Sequence, residues 1–188
     1  MLSPQFENAF NFAVQLHASQ IRKGSGTPYI SHLMAVTALV LEDGGDEDQA
    51  IAALLHDAVE DQGGKRTLQE IRRRFGDRVA LIVEACSDSF ITPKPPWRKR
   101  KETYIRHLQI APKEVRRVSL ADKLHNAQSI LRDLRQEGET VWQRFNGGKE
   151  GTLWYYTSLV DIFQQIDDSP MVDELSRIVR EIQEAADL

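Results

Sequence analysis

The chain has 188 residues, enough for a substantial buried core. Its 24 basic and 28 acidic residues leave a net charge of −4, so no global field draws it to a nucleic-acid polymer or an acidic membrane. One cysteine, Cys86, rules out an intramolecular disulfide, and no run approaches the roughly 18 apolar residues of a membrane helix.

The opening MLSPQFENAF lacks the basic start and apolar core of a signal peptide, so a cytoplasmic location is expected. Ser3-Pro4 is a helix start, and Phe6, Phe10, Ala13 and Val14 mark an amphipathic helix to about Gln20. A basic, glycine-rich turn follows, Arg22-Lys23-Gly24-Ser25-Gly26-Thr27-Pro28. The next helix runs from about Tyr29 to Glu42 with Leu33, Val36, Val40 and Leu41 inward, and Gly44-Gly45 ends it. Asp46 with Gln49 reads as a capping box opening a helix whose core is Ala50 to Asp61, AIAALLHDAVED. In that helix Ile51, Leu54, Leu55, Ala58 and Val59 form an apolar stripe, and His56, Asp57, Glu60 and Asp61 take the other side.

Gly63-Gly64 closes this segment, and Thr67 with Glu70 reads as a second capping box, for a helix that stops at Gly76. Another helix spans Asp77 to about Ser87, with Cys86 expected to be a core thiol beside Val79, Ile82 and Val83. Pro93, Pro95 and Pro96 make Asp88 to Pro96 a loop, expected to be the mobile element of the chain. A basic helix from Trp97 to Gln109 precedes the longest one, which starts at Pro112 and ends near Gly138. Its seam is Leu120, Leu124, Ala127, Leu131 and Leu134, opposite a polar strip of Asp122, His125, Asn126 and Ser129. Gly147, Gly148 and Gly151 read as a linker before an aromatic helix from Thr152 to Ile166. Ser169-Pro170 starts a last helix carrying Leu175, Ile178, Val179 and Ile182 inward. No run alternates with period two, so the expectation is an all-α bundle of roughly eight to ten helices.

Three helices carry residues able to hold a metal: His32, then His56 and Asp57, then Asp122. A His-Asp pair alone also reads as a solvated acidic face, and Asp122 alone as a water-facing acid. Together, two imidazoles and two carboxylates suit Mn, Fe or Zn. Without thiolate, such a shell leaves positions for water or phosphate oxygens, as in a catalytic site. Glu60 and Asp61 lie one turn further on, where a carboxylate could orient or deprotonate a water at the ion. Two acids at the negative end of a helix are unfavourable by up to ~1 kcal/mol each, which argues that something else retains them. Arg22, Lys23 and Ser25 offer point charges and a hydroxyl beside flexible glycines, chemistry that suits a polyphosphate. Basic runs at Arg72-Arg73-Arg74 and Arg98-Lys99-Arg100-Lys101 read as outer helix faces, and His17 and His107 as surface residues without a role.

In this order, RKGSGTPYISH, LLHDAVED and LADKLHN resemble the HD-domain metal-dependent phosphohydrolases. Within them the match is to the hydrolase domain of RelA/SpoT homologues and the stand-alone small alarmone hydrolases. The resemblance covers about residues 6–134 and implies one HD domain over 1–188, with C-terminal helices over 140–188 packed on that core. It implies His32, His56, Asp57 and Asp122 as metal ligands, usually for Mn2+, with Fe or Zn as the other candidates. It further implies Glu60 and Asp61 as the acid pair acting on water, and Arg22, Lys23, Ser25 and Asn126 as nucleotide contacts. The implied substrate is a guanosine polyphosphate, (p)ppGpp, hydrolysed to GDP or GTP and pyrophosphate. Synthetase activity is not expected, because the chain ends shortly after the matching core. Leu33 stands where the family usually has proline after the first histidine, and the segment FNGGKEGTLWYY has no counterpart motif. Two alternatives stay open. One is another HD nucleotide phosphohydrolase, acting on 5′-nucleotides or on a phosphorylated dinucleotide, and the other is a non-catalytic nucleotide sensor. Base preference and oligomeric state are not legible in the residues.

Overall fold

A computed structural model of the chain describes residues 1–87 and 95–187. Among them are ten α-helices and one 3-10 helix, and the sole β-type pairing is an isolated bridge between Ile21 and Pro28. The all-α expectation is met. The loop expected over Asp88 to Pro96 lies mostly at 88–94, outside the described residues. The chain divides into two compact units, one holding the described residues of 1–94 with 111–121, the other holding 95–110 with residues from 122 onward.

The first unit begins with α1 (Pro4–Leu16), capped by the Ser3 hydroxyl, which accepts the Gln5 N–H at 3.1 Å. The helix ends before Gln20, because the His17 N–H closes on the Ala13 carbonyl at 3.0 Å and the chain then turns. Its buried face is Ala9, Phe12 and Ala13, about one position round from the expected stripe, leaving Val14 exposed. Phe12 packs against Phe75 at 6.0 Å between ring centroids. In α2 (Ile30–Glu42), His32, Leu33, Val36, Thr37 and Val40 are buried. Leu33 is fully buried in the first turn, so the place usually taken by proline serves the core here. A Cβ at Gly45 would lie 2.6 Å from Val40 Cγ1, so the return from α2 requires glycine there.

The next helix, α3 (Glu47–Leu55), is buried from Gln49 to Leu55 on every side, a central helix rather than an amphipathic one. Asp46 Oδ1 caps it by accepting the Gln49 N–H at 3.0 Å. The reciprocal half of the box is replaced: Gln49 Oε1 accepts from Arg117 at 2.7 Å, and the same guanidinium pairs with Asp43 at 2.7 Å. The expected single helix to Asp61 is broken. His56 and Asp57 lie between α3 and a one-turn α4 (Ala58–Asp61), where ψ at Asp57 is −8° and the regular α hydrogen-bond ladder lapses. The second capping box does not form, since α5 (Lys65–Phe75) starts earlier, from Gly64, and the Thr67 hydroxyl donates to the Gln62 carbonyl at 2.5 Å. Glu70 binds Arg73 and Arg74 instead, at 2.7 and 2.5 Å. Gly76, with φ +92°, ends α5 and opens α6 (Asp77–Cys86). Cys86 is half-buried rather than a core thiol, its Sγ 3.6 Å from the Ser119 hydroxyl.

The second unit holds α7 (Trp97–Ile110), the later part of α8 (Lys113–Glu137), a 3-10 helix over Gly138–Arg144, α9 (Gly148–Ile166) and α10 (Pro170–Ala186). The expected leucine seam of α8 is buried throughout, as are Leu175, Ile178, Val179 and Ile182 on α10. No linker precedes α9. Its glycines let the Trp97 indole approach, since a Cβ would lie 2.7 Å from that ring at Gly147 and 3.1 Å at Gly151. Among the described residues no helix is long and apolar enough to cross a membrane.

Candidate metal centre

The break after α3 turns His56 and Asp57 toward α2. His56 Nε2 lies 3.0 Å from Asp57 Oδ2, and His32 Nε2 lies 3.6 Å from the same oxygen. The two imidazoles stand edge to face, 5.3 Å between centroids at 68°. One ligand atom from each of these three residues falls within 4.8 Å of the others, and both histidines are buried.

Hydrogen bonding fixes the chemistry of this cluster. His56 Nδ1 is 2.7 Å from the Ala53 carbonyl, and a carbonyl only accepts, so the ring proton sits on Nδ1. Nε2 then faces a carboxylate oxygen 3.0 Å away. A ring nitrogen and a carboxylate oxygen that close are held together by a proton or by a cation. Two imidazoles and a carboxylate, with one ring oriented from behind by a backbone carbonyl, form a donor set that fits a divalent transition metal. The Tyr29 hydroxyl also donates to Asp57 Oδ2, at 2.6 Å, and holds the carboxylate from the α2 side.

The acid pair is placed by α4. Glu60 is half-buried, and the exposed Asp61 receives the Gln20 side-chain N–H on Oδ2 at 2.8 Å. Although the residue as a whole is exposed, partial desolvation of its carboxyl by neighbouring groups, then the charges of Asp57 and Glu60, push the Asp61 pKa up, against the Gln20 hydrogen bond and His17. The basic turn closes as a small hairpin, with the Arg22 N–H donating to the Thr27 carbonyl at 2.8 Å. The Arg22 guanidinium lies 5.8 Å from the Tyr29 ring centroid, whereas Lys23 and Ser25 are exposed. Ser25 Oγ accepts the Thr27 N–H at 3.3 Å.

Asp122 and Asn126 belong to the second unit. There Asp122 is buried, its Oδ2 accepting from Lys123 Nζ at 2.5 Å and its Oδ1 from Asn126 Nδ2 at 2.5 Å. The structure thus brings together His32, His56 and Asp57, with Tyr29 added, and sets Asp61 on Gln20.

The reading of His17 as a surface residue is overturned. His17 is buried, stacked on Tyr29 at 5.3 Å and 16°, with Nδ1 2.7 Å from Gln20 Oε1. Sequence reasoning missed His17, Gln20 and Tyr29. A signal was present: Tyr29 stands one turn before His32, and His17 and Gln20 are three apart beside the basic turn.

A comparison with protein families matches the HD domain over residues 9–153, and the chain belongs to that family. It is 40% identical over 137 residues to a Xenopus tropicalis protein named guanosine-3′,5′-bis(diphosphate) 3′-pyrophosphohydrolase MESH1, covering 71% of this chain and 72% of that protein. It is 34% identical over 187 residues to a Streptomyces coelicolor GTP pyrophosphokinase, covering 94% of this chain but only 21% of that longer protein. Among solved structures it superposes on a metazoan orthologue of SpoT, described as hydrolysing ppGpp with a role in starvation responses. That match has a TM-score of 0.80 and 26% identity, and covers 99% of this chain and 98% of the other.

Proposed function

We propose that this chain is a metal-dependent (p)ppGpp 3′-pyrophosphohydrolase, converting ppGpp to GDP and pppGpp to GTP with release of pyrophosphate. The observation that carries this reading is the convergence of one ligand atom each from His32, His56 and Asp57 within 4.8 Å, in a chain whose relatives bear that activity in their names. His32, His56 and Asp57 would hold the ion. Asp122, taken from the LADKLHN motif, is proposed as its fourth protein ligand. Mn2+ is the preferred occupant, with Fe or Zn as the alternatives for the same imidazole and carboxylate donors. When bound, the ion supplies Lewis-acid polarisation of a phosphoryl oxygen and lowers the pKa of water.

The remaining work falls to side chains. Glu60 and Asp61 orient the attacking water and take its proton. The water oxygen bonds to the phosphorus attached to O3′, and the O3′–P bond breaks with its electron pair going to O3′, which takes up a proton from solvent to leave a 3′-hydroxyl and intact pyrophosphate. Arg22, Lys23 and Ser25 bind phosphate oxygens away from that bond, and Asn126 contacts the nucleotide.

The deciding experiment combines metal analysis of protein purified without chelator with chromatography of the products from ppGpp in added Mn2+. GDP plus pyrophosphate in equal amounts is expected. Orthophosphate from nucleoside monophosphates, with ppGpp untouched, would move the protein to another phosphohydrolase activity of the same family. Metal loading without turnover of any nucleotide would make it a sensor.

A further inference from the structure

Behind the acid pair runs a hydrogen-bonded chain in which both polar ends of one amide are engaged. Gln20 Oε1 lies 2.5 Å from Gln62 Nε2 and 2.7 Å from His17 Nδ1. An amide oxygen only accepts, so with Gln20 Oε1 in this place His17 carries its proton on Nδ1. Its NH2 group then faces Asp61 Oδ2 at 2.8 Å. The other face of His17 stacks on Tyr29, whose hydroxyl reaches Asp57. One support at the end of α1 therefore reaches Asp61 through Gln20 and Asp57 through Tyr29.

We propose that Gln20 is a positioning residue for the acid pair. Held by His17 and Gln62, it pins one oxygen of Asp61 so that the other is presented to the attacking water. This inference rests on the functional reading above, which makes Asp61 part of the acid pair. A simple clamp between turns would not need this arrangement. A carboxylate gains only modest stability from a single neutral amide donor. Yet two side chains, His17 at the end of α1 and Gln62 just after α4, converge to orient that one donor.

The test is a double-mutant cycle on the full chain loaded with Mn2+. Gln20→Met keeps the length and removes the donor. It is expected to lower kcat for ppGpp by ~10–100-fold, the usual effect of removing an orienting partner, while KM and metal content stay within about twofold. In an Asp61→Ala background the same change should cost less than about twofold, because Gln20 then has nothing to orient. Gln62→Met, which loosens Gln20 without touching Asp61, should give a smaller loss of kcat alone. A structural readout stands beside these rates. The ring-nitrogen NMR shifts of His17 should report the Nδ1–H tautomer in the wild type and a swing toward Nε2–H in Gln20→Met.

Equal losses from Gln20→Met with and without Asp61 would overturn the proposal, as would an Nε2–H tautomer in the wild type. Wild-type turnover of ppGpp with Gln20→Met at the wild-type rate would remove this inference alone. Wild-type protein inert toward ppGpp would instead remove the functional reading, and the role of Gln20 with it.

Discussion

The most consequential single contact is the 3.0 Å approach of His56 Nε2 to Asp57 Oδ2, with the His56 proton committed to the Ala53 carbonyl. A ring nitrogen and a carboxylate oxygen held that close are bridged by a proton or by a cation. Removing both residues should abolish metal retention: protein carrying His56→Ala and Asp57→Ala is expected to emerge from purification without stoichiometric Mn, Fe or Zn. Full metal content in that variant would show that the ligands lie elsewhere. Glu60 separates binding from chemistry, because it is one turn from His56 and outside the three-residue cluster. Glu60→Gln should keep the metal and lower kcat by roughly 10²–10⁴, the usual worth of a general acid or base. Loss of metal in Glu60→Gln would make Glu60 a ligand instead.

At the scale of the element, sequence periodicity served well wherever a helix has one wet side. The seam of α8 and the inward face of α10 are buried at the expected residues. It served poorly for α3, whose surroundings cover it entirely, since a stripe cannot be read from a helix that has no outside. The corner at His56-Asp57 left no trace either. No glycine or proline marks it, and both residues keep right-handed helical φ and ψ, so only tertiary packing decides that the helix lapses there. The three residues of the His32, His56 and Asp57 cluster were legible as candidate ligands because metal chemistry restricts such candidates to few residue types. The Gln20 support was not, because glutamine is ordinary in any turn. The glycines before α9 misled for a related reason, reading as punctuation when they make room for an indole. Gly147→Ala would place a methyl 2.7 Å from the rigid Trp97 ring. It should destabilise the protein by about 1–3 kcal/mol, seen as a lower thermal midpoint. Adding Trp97→Leu should recover part of the loss, and an unchanged midpoint in Gly147→Ala would show that the ring yields freely.

Across the whole molecule, charge is arranged to be lost in acid. Arg73 and then Arg74 hydrogen-bond Glu70 and hold its pKa at about 2, below the ordinary 4.5. Burial pushes Asp46 up, but Arg78 and the Gln49 N–H outweigh it and leave the carboxyl below its ordinary value. A carboxylate with a depressed folded pKa contributes its stabilisation fully above the unfolded value. That contribution is lost as pH falls through the folded value, here from about 4.5 toward about 2. Urea midpoints should therefore decline across that window, and Glu70→Gln should flatten the decline. Because Glu70 is solvent-facing, the decline should also shrink in high salt. Substrate charge is a property of the same scale. Replacing Arg22 and Lys23 by alanine should raise KM for ppGpp well above any effect on a nucleotide bearing one phosphate, with kcat little changed. Equal effects on both substrates would show that the turn does not read the polyphosphate.

The division of the chain into its two units ignores the order in which the residues are joined. Residues 111–121 belong with the N-terminal unit, although 95–110 belong to the other. Arg117, which ties Asp43 to Gln49, and the buried Val115, Val118 and Leu120 all arrive in that late stretch. During synthesis the N-terminal unit must wait for Ala121 to leave the ribosome, by which time the first helix of its neighbour is already out. Neither unit can be cut from the gene as one uninterrupted stretch, so recombination can pass the pair on but cannot deal them separately.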